Sequence, residues 1–347
     1  MQFMNNRLLI GASDKLALFL HFIQHDYQNG VTVIDTDGRL AELVTDSLPM
    51  EYTEHLQYFD PSDAKHVASF NVFEGIPQSD RPKLVQDLCA FFDALFPAGS
   101  ETLTKQNSAF VLANVLTVLL DSPDVSFLST LEFLSDINFR KACLKRCTNR
   151  IAIRNWDSIE EWEKTLRQTA FAQIETKLGT LLLSPTILRT LQDPKSTFYI
   201  GKTKIFVADL SRSQLGDAAA KMLSTLLVSR ATAPVYIYDF GFLASDYLAS
   251  LFSKGGYTVA LQNLASVQKG VQQTLLGFPE KYVYRVTPED AERLQIYVSG
   301  VENPSILVDL SPEDFLPKVE LVPPQASGRF RPNLRRSRAR HSRPLTP

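Results

Sequence analysis

The residues best suited to chemistry lie near the start of the chain. Leu8-Leu9-Ile10 runs into Gly11-Ala12-Ser13-Asp14-Lys15-Leu16. An apolar run, a glycine turn and a lysine entering a helix is the layout of a phosphate-binding loop, whose backbone N–H groups close around phosphate oxygens. The full pattern is G-x-x-x-x-G-K-[ST], and this chain departs from it. Gly11 stands only four residues before Lys15, Asp14 occupies the second glycine's place, and Leu16 replaces the hydroxyl that would hold magnesium. Asp14 also sets negative charge against phosphate. Lys15 therefore has two readings, a phosphate ligand or a solvated lysine in a first helical turn.

Other reactive residue types are sparse. Cys143-x-x-x-Cys147 could share one helix face, but no further cysteine or clustered histidine follows, so no metal site is expected. His21 and His25 sit one helical turn apart, where packing or solvent exposure is the expected role. The far end differs sharply. Arg329, Arg331, Arg335, Arg336, Arg338, Arg340 and Arg343 fall in a segment without one acid. The formal net charge is −2, so residues 1–328 carry about −9 by subtraction. Such a tail is either a solubilising extension or a contact for a polyanion, DNA above all.

The 347 residues, 44% hydrophobic and 21% charged, suit a globular protein with ample core. Three cysteines cannot staple a fold and suit a reducing compartment. No stretch reaches the length of a membrane span, so a cytoplasmic location is expected.

Elements that could position the loop follow from periodicity. A strand at Arg7–Ile10, a helix from Lys15 to about Gln28 stopped by Asn29-Gly30, and a strand at Val31–Asp35 form a βαβ unit. Asp35 and Gly38 then lie at a strand's carboxyl end, where open α/β sheets place ligands. Leu56–Phe59 reads as another strand. From about Pro77 the pattern is helical: Lys83–Phe96, Gln106–Leu120, shorter helices near 127–134 and 138–147, and a long helix opened by a Ser158-x-x-Glu161 capping box. Trp156 and Trp162 are expected to pack inside this helical region. Ser184-Pro185 starts one more helix. After Lys195, strands are expected at Lys204–Leu210, Val235–Asp239, Tyr257–Leu261, Lys281–Arg285 and Ser305–Leu310, alternating with helices near 215–230, 245–253, 264–276 and 288–297. The expected organisation is an α/β domain split over 1–76 and 196–316, a helical insertion over 77–195, and a disordered tail over 317–347.

The order of these segments resembles the DNA-binding ATPase domain of type IV secretion coupling proteins, in the FtsK/HerA-like group of P-loop DNA motors. The resemblance covers roughly residues 8–310. Gly11–Leu16 occupies the place of the family's G-x-T-G-x-G-K-S, and Asp35-Thr36-Asp37-Gly38-Arg39-Leu40 that of D-P-x-G-D-L. Phe70-Asn71-Val72-Phe73 is similar to F-N-P-L. Lys204–Gly216 is similar to a strand followed by L-S-K-G-x-L-G. Val235–Phe242 stands where the family has its Walker B strand and D-E-F. Ala260-Leu261-Gln262 resembles the sensor strand, and Tyr284-Arg285-Val286 with Pro288-Glu289-Asp290-Ala291 resembles F-R-x-x-x-E-D-A.

The resemblance implies a RecA-like P-loop NTPase fold with a mostly parallel sheet and an inserted all-helical subdomain. It also implies a vestigial nucleotide site at Gly11, Ser13, Lys15, Asp239, Gln262 and Arg285. Asp239 would be a remnant metal ligand or merely the cap of the next turn. Arg285 would be structural or would bridge subunits. Phe240 stands in the place of the glutamate that polarises water, and phenylalanine cannot act as a base. With hydroxyl, glycines and base all missing, the expectation is a pseudo-ATPase with no catalytic residue and no cofactor. It would be a DNA- or partner-binding subunit of a conjugative DNA-transfer apparatus, contacting DNA through its tail and an active paralogous ATPase or further copies of itself. The competing reading is a working DNA-translocating ATPase that uses ATP and Mg²⁺ in an unorthodox loop.

Overall fold

The computed structural model describes residues 5–317, except 64, 66–67, 96–101, 199, 201–204, 232–233, 299–300 and 312. The seven tail arginines lie outside the described residues, as does nearly all of the expected 317–347 tail.

The buried apolar runs pair as seven strands, all parallel where they meet. In chain order they begin with β1 (Arg7–Ile10), then helix α1 (Leu16–Asp26), β2 (Val31–Asp35), α2 (Arg39–Asp46), a 3₁₀ turn Met50–His55 and β3 (Leu56–Phe59). Helices fill the next stretch: α3 (Arg81–Leu95), α4 (Thr102–Leu119), α5 (Ser129–Ser135), α6 (Ile137–Arg146), α7 (Arg150–Glu161), α8 (Lys164–Leu182) and α9 (Pro185–Leu191). The alternation then resumes with β4 (Ile205–Asp209), α10 (Arg212–Leu215), α11 (Asp217–Arg230), β5 (Val235–Ile237), α12 (Phe240–Leu243) and α13 (Asp246–Leu251). It ends with β6 (Tyr257–Leu261), α14 (Lys269–Leu276), β7 (Glu280–Val283), α15 (Pro288–Leu294) and α16 (Ser305–Val308).

The strand order is β3-β4-β2-β5-β6-β1-β7. Side chains alternate across the sheet, as a two-residue period requires. Leu9, Val31, Val33 and Val207 pack under α1 and α2 on one face. Leu8, Ile10, Ile34, Phe206 and Val259 face the other way, into a cluster that continues through α11 into the helical region. There Trp156 is fully buried, edge-on to Phe133 at 4.9 Å and stacked on Phe171 at 5.9 Å. Trp162 packs at the border of that cluster, stacked on Phe110 at 6.1 Å.

Between β3 and β4 the described residues contain no strand. The two crossings into this helical stretch are tied side by side. Phe70 N–H donates to the Thr190 carbonyl (2.7 Å), and Thr197 N–H to that of Ser69 (2.9 Å). The buried Asn71 amide donates to the carbonyls of Val125 (2.8 Å) and Pro194 (2.7 Å).

Two expected elements differ. Ser305–Leu310 is no strand: Pro304 takes helical angles, the Asn303 side chain accepts from Ser305 N–H, and Ser305–Val308 coils as α16. The outer side of β7 is met instead by Leu316, antiparallel to Val283. The Ser158–Glu161 capping box does not form either. Asn149 caps α7 nine residues earlier, through Ile151 and Ala152 N–H, and the helix stops at the extended Trp162 and Glu163 before α8 begins.

Candidate nucleotide-type cleft

Because the strands are parallel, their carboxyl ends share one edge, and the loops leaving them line a cleft of about 660 Å³. Ser13, Asp14 and Lys15 come from the loop after β1, and Thr36, Asp37 and Arg39 from that after β2. Ser211, Arg212, Ser213 and Asp217 follow β4, Tyr238 and Asp239 follow β5, and Gln262 follows β6. Of the residues expected from the sequence, Ser13, Lys15, Asp239 and Gln262 meet here. Gly11 forms the floor beneath the loop. The Arg285 side chain is exposed outside the cleft lining, and only its carbonyl reaches the loop.

The loop is closed on itself. Gly11 N–H donates to the Leu261 carbonyl (3.1 Å) and Ala12 N–H to that of Arg285 (2.8 Å). Gly11 has φ +136°, and a Cβ there would meet Tyr284 Cβ at 2.7 Å and the Arg285 carbonyl at 2.8 Å, so only glycine fits. The Tyr238 hydroxyl donates to Asp14 Oδ1 (3.1 Å), which also accepts from Leu16 N–H (2.9 Å). The Asp14 carboxylate thus caps the first turn of α1, in the place where a helix N-terminus attracts an anion. Arg39 Nη1 approaches its other oxygen at 3.9 Å.

Lys15 is only 5% exposed, and its Nζ donates to the Gly11 (2.5 Å) and Ser13 (2.8 Å) carbonyls, 5.6 Å from the Tyr284 ring centre. Burial draws its pKa down to about 8, with Asp14 and Asp239 opposing that shift. The amine is therefore turned onto its own loop.

Asp239 makes no side-chain cap to α12, although it occupies the cap position. Its Oδ2 lies 3.4 Å from Arg212 Nη1, while Arg212 Nε donates to Asp217 (2.9 Å) and the guanidinium lies 4.0 Å over the Phe242 ring. Phe240 points away from the cleft: it is fully buried, 5.2 Å from Phe252 centre to centre. Asp35 is structural, accepting from Asp37 N–H and Ala41 N–H to start α2, and burial raises its pKa.

Sequence reasoning missed Arg39, Arg212 and Tyr238. Arg212 had a usable signal, since it stands in the lysine place of the L-S-K-G-x-L-G segment. Tyr238 and Arg39 had none. Their roles exist only once β5 and β2 are neighbours in the sheet.

No family model matches the sequence, and no curated protein sequence matches it. Solved structures do match its fold. Bacterial conjugative coupling protein TrwB, in an unbound form, is similar over 88% of this chain and 80% of its own, at 14% identity and a TM-score of 0.55. Plasmid coupling protein TrwB in complex with ADP and Mg²⁺ is similar over the same shares, at 12% identity and a TM-score of 0.56. VirB4 of Thermoanaerobacter pseudethanolicus is similar over 89% of this chain and 84% of its own, at 13% identity and a TM-score of 0.52. The chain has the type IV coupling-protein-like, RecA-like P-loop ATPase fold.

Proposed function

We propose that this chain is a non-hydrolysing P-loop subunit of a type IV secretion DNA-transfer apparatus, which keeps the motor's fold to dock on partners and DNA. The observation that carries the reading is the state of the loop. Three N–H groups at Gly11, Ala12 and Leu16 are bonded within the protein, and the Asp14 carboxylate sits at the helix N-terminus. Phosphoryl transfer depends on loop donors, a metal held by a hydroxyl, and a positioned water. Leu16 offers no hydroxyl, Phe240 lies in the core, and Lys15 is spent on two carbonyls. A nucleotide–magnesium complex does not fit this donor set. DNA contact falls to the seven arginines at 329–343, against a body of about −9 charge.

Hydrolysis measured with and without DNA tests the reading. Purified protein is expected to turn over ATP no faster than a Lys15→Ala control, and Phe240→Glu is expected to restore nothing, since it buries a carboxylate beside Phe252. DNA-stimulated turnover that disappears in the control would sink the proposal and favour the working-ATPase alternative.

A further inference from the structure

The cleft that does not fit a nucleotide still gathers charge, with the sign inverted. Its lining sets four carboxylates, Asp14, Asp37, Asp217 and Asp239, against the guanidiniums of Arg39 and Arg212 and the buried amine of Lys15. Six of these charges form two groups. Arg39 Nε donates to Asp37 Oδ2 (2.5 Å), and its Nη1 lies 3.9 Å from Asp14 Oδ2. Arg212 Nε donates to Asp217 Oδ1 (2.9 Å), and its Nη1 lies 3.4 Å from Asp239 Oδ2. Each guanidinium is bracketed by two carboxylates, so each group keeps one negative charge in excess. All four carboxylates are at least 40% exposed.

The two groups stand on opposite walls. Asp14, Asp37 and Arg39 lie at the starts of α1 and α2, which pack on one face of the sheet. Arg212, Asp217 and Asp239 lie at the starts of α10, α11 and α12, and the last two helices pack on the other face. Asp37 Oδ1 on the first wall and Asp239 Oδ1 on the second accept no hydrogen bond among the described residues. Beside Asp37, Thr36 lines the cleft at 2% exposure, and its hydroxyl has no hydrogen-bond partner. A buried hydroxyl left in this state is costly until a donor reaches it. Among the described residues no three acidic, histidine or cysteine side chains converge to hold a metal ion. The excess charge is therefore spread over two walls rather than focused on a point, which suits an elongated organic cation and not a compact divalent ion.

We infer that this cleft binds a linear aliphatic diamine, one ammonium to each wall. The inference rests on the reading above that the cleft does not hold a nucleotide. An ammonium carries three N–H donors, and Asp37 Oδ1 with the Thr36 hydroxyl offers two acceptors to one end. Asp239 Oδ1 accepts from the other. A lone lysine or arginine side chain from a protein partner brings one charge and neutralises one wall only. Lys15 does not compete for these carboxylates, since its amine is held by the Gly11 and Ser13 carbonyls.

Calorimetric titration of the full chain with 1,4-diaminobutane, against n-butylamine and MgCl₂, tests this. One saturable site tighter than about 1 mM is expected in 0.05 M KCl, weakening several-fold at 0.3 M KCl. Butylamine is expected to bind at least about tenfold more weakly. Asp37→Asn and Asp239→Asn, each removing one wall's excess charge, are each expected to weaken the diamine about tenfold and to erase its advantage over butylamine. Both should keep the wild-type circular dichroism. Glu51→Gln with Glu54→Gln, on the exposed 3₁₀ turn at Met50–His55, is expected to change nothing. Four results would overturn the inference: no saturable diamine binding, equal affinity for butylamine, affinity unchanged in both cleft variants, or Mg²⁺ binding that is lost in the same variants. If diamine and nucleotide both fail to bind, the inference falls and the non-hydrolysing reading stands. If a Mg²⁺-dependent ATP analogue displaces the diamine, that reading falls instead.

Discussion

Lys15 carries its amine back to the Gly11 and Ser13 carbonyls inside a nearly closed site. Burial holds its pKa near 8, below the roughly 10.4 of an unfolded lysine. Between those values the unfolded chain binds the extra proton, so this residue makes stability rise with pH through that window. Burial also raises Tyr27, Tyr238 and Tyr284, whose contribution has the opposite sign once unfolded tyrosines ionise near pH 10. The effect is therefore read between pH 8 and 10, as a difference between wild type and Lys15→Met. That difference in unfolding free energy is expected to grow with pH, by up to about 1.4 kcal/mol per unit. A flat difference would mean that the amine titrates as an ordinary lysine. From sequence, Lys15 could be read either as a phosphate ligand or as a solvated lysine. Its burial and its two carbonyl acceptors match neither, because they arise from the way Tyr238 and Tyr284 close over the loop.

Among elements, the neck between sheet and helical region depends on Asn71. Its amide satisfies the Val125 and Pro194 carbonyls, and its own carbonyl accepts from Phe73 N–H (3.1 Å). Asn71→Ala would strand these buried groups, and we expect it to cost about 2–4 kcal/mol of unfolding free energy in denaturant. A loss below about 0.5 kcal/mol would place the hold elsewhere. We propose that 77–195 is a subdomain hinged at this neck. Strands β1, β2 and β6 were legible to the residue because each is a largely buried apolar run, and β3, only partly buried, through the Asp60-Pro61 turn that ends it. Helix α16 was not, because Ile306, Leu307 and Val308 carry strand propensity that Pro304 and the Asn303 turn override. The short helix α2 escaped notice as well. It begins at a glycine, Gly38, and its start is set by the Asp35 side chain three residues before that.

At the scale of the whole molecule, parallel strand order turns distant segments into one cleft. Lys15, Asp239 and Gln262 could be named through motif resemblance, whereas the pairing of Arg212 with Asp239 depends on loops from non-adjacent strands meeting at one edge. Charge is organised at the same scale. The seven arginines stand against an acidic body, so duplex affinity is expected to follow the tail. If all seven engage, log affinity should fall against log salt with a slope of about −6, with little dependence on sequence. Removing residues 329–347 is expected to abolish duplex binding and leave the thermal transition of the body unchanged. Equal low-salt affinity of truncated and full-length protein would move the DNA site onto the folded body.

The central claim, that the loop after β1 is already satisfied by the protein's own groups, is tested most directly by a calorimetric titration of the full chain with a non-hydrolysable ATP analogue, with and without Mg²⁺. We expect no saturable binding tighter than about 1 mM, equivalent to about 4 kcal/mol, and no change on adding Mg²⁺. Saturable, Mg²⁺-dependent binding that disappears in Lys15→Ala would contradict the account, because Lys15 would then have to leave the Gly11 and Ser13 carbonyls for a phosphate.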